Sequence, residues 1–140
     1  MGRIKTYLQN FNKSITSFEK IYLRTMGMRC TEEYEIIRKG TEAEVSEYGI
    51  RYNGSGKERF LEKQVICSAD EIIELLDKCR VLLWDGFHGA HPKGVLDGTM
   101  FTFEAVVNDN IKVQAEGSQN FPEHYRDFVN ELYEILRGER

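Results

Sequence analysis

The sequence predicts an α+β fold: an antiparallel sheet of about six strands with two or three helices packed on one face. Three observations predict it. Apolar and polar residues alternate with period two through two stretches, 18–67 and 101–116. Apolar stripes at helical spacing follow Ser68 and Pro122. The helices come after runs of strands instead of alternating with each one, which is the order of a segregated α+β domain.

Residues 1–14 place Ile4, Tyr7, Leu8 and Phe11 on one helical face, predicting a short N-terminal helix or a leader that docks on the domain. In the first strand Phe18, Lys20, Tyr22 and Arg24 alternate with Glu19, Ile21 and Leu23. Tyr34–Lys39 reads as the second strand, ended by Gly40. Glu44–Tyr52 is the third, with Tyr48, Ile50 and Tyr52 on one face. Asn53-Gly54-Ser55-Gly56-Lys57 is a turn, because Asn and Gly tolerate the positive φ of a hairpin connection. Arg59–Cys67 returns from it with Leu61, Val65 and Cys67 sharing a face, which completes a meander.

Ser68-Ala69-Asp70-Glu71 is a capping box, and the helix behind it carries Ile72, Leu75, Leu76 and Cys79 on one face, ending near Arg80–Leu83. Residues 84–98 (WDGFHGAHPKGVLDG) have no periodicity and form the longest irregular stretch. A hairpin follows: Phe101, Phe103, Ala105 and Val107, the turn Asn108-Asp109-Asn110, then Ile111, Val113 and Ala115. Pro122 is placed in the first turn of a last helix, whose stripe is Tyr125, Phe128, Val129, Leu132 and Leu136.

With 140 residues the chain reads as one domain over 1–140. Its 19 basic and 23 acidic residues give a net charge of −4, and no window concentrates Lys and Arg, which argues against nucleic acid as a partner. No run of 18 apolar residues is present, so no membrane span is expected. Three cysteines (Cys30, Cys67, Cys79), no CxxC and no signal-peptide pattern predict free thiols and a cytoplasmic location. Neither a GxGxxG nor a Walker A pattern occurs, and no cofactor is called for.

Chemistry concentrates in the 84–98 loop, since long loops in compact domains are often functional. His88 and His91 are spaced HxxH, flanked by Asp85 and Asp97. Imidazoles and carboxylates together can bind a divalent metal or supply a general base, which makes His88 and His91 the metal candidates. Trp84 and Phe87 can line a ligand pocket beside them. The competing account is plain: solvated histidines, Asp-Gly turns at Asp85 and Asp97, and a core-plugging Trp84. Tyr22, Tyr34, Tyr48 and Tyr52 fall on consecutive strands and would line one face if register allowed, though tyrosine is also simply a good strand residue.

Trp84 and Gly86, then Asp97-Gly98 before an aromatic-rich strand, then Gly117-Ser118 and Asn120-Phe121-Pro122 with Tyr125, form a pattern. It resembles one in a family of small, uncharacterised bacterial α+β proteins, from which this chain departs by Gln119 between Ser118 and Asn120. The resemblance implies the fold and no activity. The functional expectation is a non-enzymatic binding or interaction module, taking a protein partner, a second copy of itself or a small organic ligand. The alternative is a small metal-dependent hydrolase centred on the 84–98 loop and joined by His124. A third is an immunity-type neutralising protein, which small size and acidity fit.

Overall fold

The computed structural model describes residues 13–27, 30–94 and 98–138. Strands β1 (Phe18–Met26), β2 (Thr31–Lys39), β3 (Glu42–Asn53) and β4 (Gly56–Ser68) come first, then helix α1 (Ala69–Lys78) and a 3-10 turn (Val81–Trp84). β5 (His88–Gly89), β6 (Met100–Val107), β7 (Ile111–Ser118) and helix α2 (Tyr125–Arg137) follow. The strands form a single sheet in the order β4-β3-β2-β1-β6-β7-β5. The helix expected over residues 2–12 lies outside the described residues.

The fold is α+β, and two details of the expectation are corrected. The sheet has seven strands, and it is mixed: β5 runs parallel to β7, with His88 opposite Glu116 and Gly89 opposite Gly117. The other five pairings are antiparallel. A strand of two residues has no alternation to read, and backbone contacts hold this one. Gly86 N donates to Gln114 O at 2.8 Å, Glu116 N to Phe87 O at 3.1 Å, and Gln114 N to Asp85 Oδ1 at 3.0 Å. The first part of the supposed loop is therefore a short edge strand.

Register decides which face each residue meets. Ile21, Leu23, Tyr34, Ile36, Val45, Phe101, Phe103, Ala105 and Val113 point inward and are buried. The tyrosines do not all share a face. Tyr22 pairs with Glu35 and Tyr48 with Glu33 on the outer face, whereas Tyr34 pairs with Leu23 inside. A register shift in the β3–β4 pair, from Glu47↔Lys63 to Tyr48↔Leu61, leaves Glu62 as an extra residue. The bulge turns Leu61 outward, 51% exposed, while Val65 and Cys67 still pack against the core.

Both helices lie on the inner face. α1 starts where Ser68 Oγ accepts from the backbone amides of Asp70 and Glu71, and it buries Ile72, Leu75 and Leu76. It stops at Lys78, slightly short of expectation, because Arg80 turns left-handed (φ 53°) into the 3-10 turn. α2 buries Phe128, Leu132, Ile135 and Leu136 in the same core. Pro122 sits ahead of α2 and not in its first turn, its carbonyl accepting from Tyr125 N. An ion pair between Lys78 and Glu131 ties the helices together.

The β6–β7 turn does more than reverse the chain. Asn108, Asp109 and Asn110 all have positive φ (45°, 56° and 84°). Asn108 Oδ1 accepts from Thr16 N (2.8 Å), Thr16 Oγ1 (3.2 Å) and Ser17 N (3.2 Å), while its Nδ2 donates to Ser14 O (2.9 Å). One side chain thus anchors the segment entering β1. Asn108→Ala is expected to cost about 2 kcal/mol in urea unfolding, combining lost hydrogen bonds with a left-handed backbone that Ala resists. Asn108→Gly relieves only the backbone part, so it should recover less than half.

Candidate functional site

Among the described residues no helix covers the outer face of the sheet, and that face carries the depressions of interest. A cleft of about 260 Å³ lies where β1, β6, β7 and β5 meet. Arg24 and Met26 come from β1, Met100 and Thr102 from β6, Glu116 and Ser118 from β7, and His88 and His91 from the β5 segment. Outward alternation on antiparallel neighbours aligns them: Arg24 is opposite Thr102, Met26 opposite Met100, and Thr102 opposite Glu116. A second depression, sharing His88, Thr102 and Glu116, continues from it, and a third around Lys20, Tyr22 and Lys112 shares Glu104 and Gln114 with the second. The three form a trough along the open face.

The candidates divide when placed in this frame. His88 and His91 line one cleft, each with a ring nitrogen engaged: His88 Nδ1 lies 3.0 Å from Glu116 Oε1, and His91 Nδ1 lies 2.8 Å from Ser118 Oγ. His124 is not with them. It caps α2 with φ 68°, its Nδ1 lies 3.3 Å from Asp127 Oδ2, and it lines a separate cavity with Cys30, Glu32 and Tyr133. Trp84 is 2% exposed; its Nε1 donates to Glu123 O at 2.9 Å and its ring meets Phe103, Tyr125 and Phe128. Burial keeps it away from any ligand, so Trp84 is a core residue. Phe87 packs against Phe101, Asp85 caps Gln114 N, and Asp97 lies outside the described residues.

Among the described residues no three His, Cys, Asp or Glu side chains converge as a metal-ligand set. The cysteines stand apart from the cleft: burial, with a smaller contribution from Glu131, pushes the Cys79 thiol up to about 11, while Cys30 is exposed at the other cavity.

Sequence reasoning missed Arg24, Thr102, Glu116 and Ser118. Alternation marked the strand residues as outward-facing, but nothing local said that they meet the histidines. Arg24 is distinctive. Its cross-strand neighbour Glu33 is bonded instead to Arg59 Nε (2.8 Å). Arg59 also reaches Glu35 (2.9 Å) and stacks over Tyr48 at 3.6 Å. Arg24 is left with Met26 Sδ, 3.0 Å from Nη2, and its buried Nε has no hydrogen-bond partner.

What fold and site define together is a class: a sheet with both described helices on one face and a polar trough on the other. Compared with family models, curated proteins and solved structures, the chain finds no match. No helix among the described residues is long and apolar enough to cross a membrane.

Proposed function

We propose that the protein is a binding module that holds a small organic ligand in the cleft of the open sheet face. One observation carries this reading: polar groups from four strands, Arg24, Thr102, Ser118 and the two histidines of the β5 segment, converge on a single concavity. At about 260 Å³ the cleft is just below the usual size of ligand pockets, which favours a compact ligand over a drug-sized one. Rigid strands position every group except His91, and this suits binding without rearrangement.

A fragment screen read by amide chemical shifts tests the proposal. Shifts are expected to cluster at residues 24–26, 88–91, 100–102 and 116–118. Clustering instead around Cys30, His124 and Tyr133 would move the site to the other cavity and overturn the proposal.

A second reading, hydrolysis, draws on the 2.8 Å bond between His91 Nδ1 and Ser118 Oγ, the pairing of base and hydroxyl that acyl transfer uses. It requires turnover of an activated ester such as p-nitrophenyl acetate, and loss of that turnover in Ser118→Ala. Fragments that bind intact, with no ester turnover, decide for the module.

A further inference from the structure

We infer that the ligand of this cleft is a small organic anion, a carboxylate or phosphate monoester, anchored by Arg24; the inference rests on the binding reading above. Arg59, on the same outer face, is held between Glu33 and Glu35. Arg24 occupies the same face, in register with Glu33, yet its only polar contact among the described residues is a thioether. Glu33, the carboxylate that cross-strand geometry offers to Arg24, is turned to Arg59.

The guanidinium is a fixed fork of five donors and keeps its charge at any physiological pH. Leaving one donor of a charged group buried without an acceptor is costly, and a buried polar group without a partner calls for an explanation. Nε itself is closed to the cleft, but Arg24 lines it, and the other donors of the same guanidinium can take an anion there. Carboxylate and phosphate match the fork, accepting two parallel N–H bonds.

The rest of the cleft wall agrees with an anion. Thr102, directly opposite Arg24, adds a hydroxyl, and His91 and Ser118 add an imidazole and a second hydroxyl. The cleft holds one carboxylate among the described residues, Glu116, and it is directed onto His88. Met26 and Met100, paired across β1 and β6, offer polarisable apolar surface for the organic part of the ligand. A bare inorganic ion would leave that surface unused.

The test follows the Arg24 Nε–Hε resonance of the full chain during separate titrations with inorganic phosphate, phenyl phosphate, benzoate and the neutral amide benzamide. Phenyl phosphate or benzoate is expected to shift that resonance saturably, at least tenfold more tightly than benzamide. Arg24→Gln and Arg24→Lys are followed instead through the backbone amides of residues 100–102 and 116–118; Arg24→Gln should abolish the difference between benzoate and benzamide while the remaining amide spectrum stays native. Arg24→Lys, which keeps charge but loses the fork, should retain only a small part of it. Equal binding of benzoate and benzamide at the cleft would overturn the anion inference and leave the binding module standing. Shifts confined to the other cavity would remove both. Inorganic phosphate binding as tightly as phenyl phosphate would show an adventitious ion site and refute the organic ligand.

Discussion

Trp84→Ala is expected to destabilise the protein by about 3–5 kcal/mol, the range for truncating a large buried aromatic. The indole is 2% exposed at the junction of the 3-10 turn, β6 and α2. Its ring centroid lies 4.9 Å from Phe103 and 5.6 Å from Phe128, both edge-on, and 5.9 Å from Tyr125. Truncation therefore leaves a cavity lined by three aromatic rings, too stiff to collapse into it, which places the cost toward the upper end. The Nε1–H bond to Glu123 O also fixes the turn that leads into α2. Trp84→Phe keeps most of the packing and removes this donor, so its cost should be about 1–2 kcal/mol. Urea unfolding followed by circular dichroism reads both variants. A Trp84→Ala cost within about 0.5 kcal/mol would mark an exposed side chain and refute the core assignment.

Gly117→Ala comes second, at about 3 kcal/mol, because a new methyl group would strike backbone that cannot give way. An added Cβ there would collide with the Asn120 carbonyl and lie 2.8 Å from the Phe101 ring. Gly89, its partner across the parallel β5–β7 pair, meets the same carbonyl at 2.6 Å and the Phe87 ring at 2.8 Å. Two glycines thus let the 120 segment press against the end of the sheet. Thermal unfolding should show Gly89→Ala and Gly117→Ala each costly. The double variant should cost about 1 kcal/mol less than their sum, since one displacement of Asn120 relieves both collisions. Strict additivity would mean that the two sites do not share that obstacle.

Much of the fold was legible because it rests on local pattern. Alternation marks β6 and β7, the Asn-Asp-Asn turn joins them, and helical stripes mark α1 and α2. Three features were not. β5 has two residues, and apart from the Asp85 carboxylate the segment is held to Gln114 and Glu116 through backbone bonds, so side-chain identity carries little trace of it. The bulge at Glu62 reverses the face of Leu61 relative to Val65, which strict period two cannot anticipate. Pro122 was misplaced because the left-handed His124 delays the start of α2.

The site was half legible. Two histidines in a Gly-rich stretch drew notice, and they do share a cleft. The significance of Arg24 depends on Glu33 being taken by Arg59, which reaches it from β4, two strands away from β2 in sheet order. No window of sequence encodes that competition. Trp84 was open to both readings, pocket and core, because an aromatic beside glycines looks the same in sequence whether it faces a ligand or the interior; its burial settles it as core.

The strand order has a consequence for how recognition arises. β1–β4 form one meander of neighbours and β6–β7 one hairpin, and among the described strands the sheet pairing that joins the two is β1 with β6, where Met26 lies opposite Met100. That seam joins residues far apart along the chain, so its closure carries a large loop entropy. Arg24 comes from one half, and Thr102, Ser118 and the histidines come from the other. Neither half holds the cleft alone, so the proposed ligand, bridging both, would stabilise the protein at this entropically expensive junction.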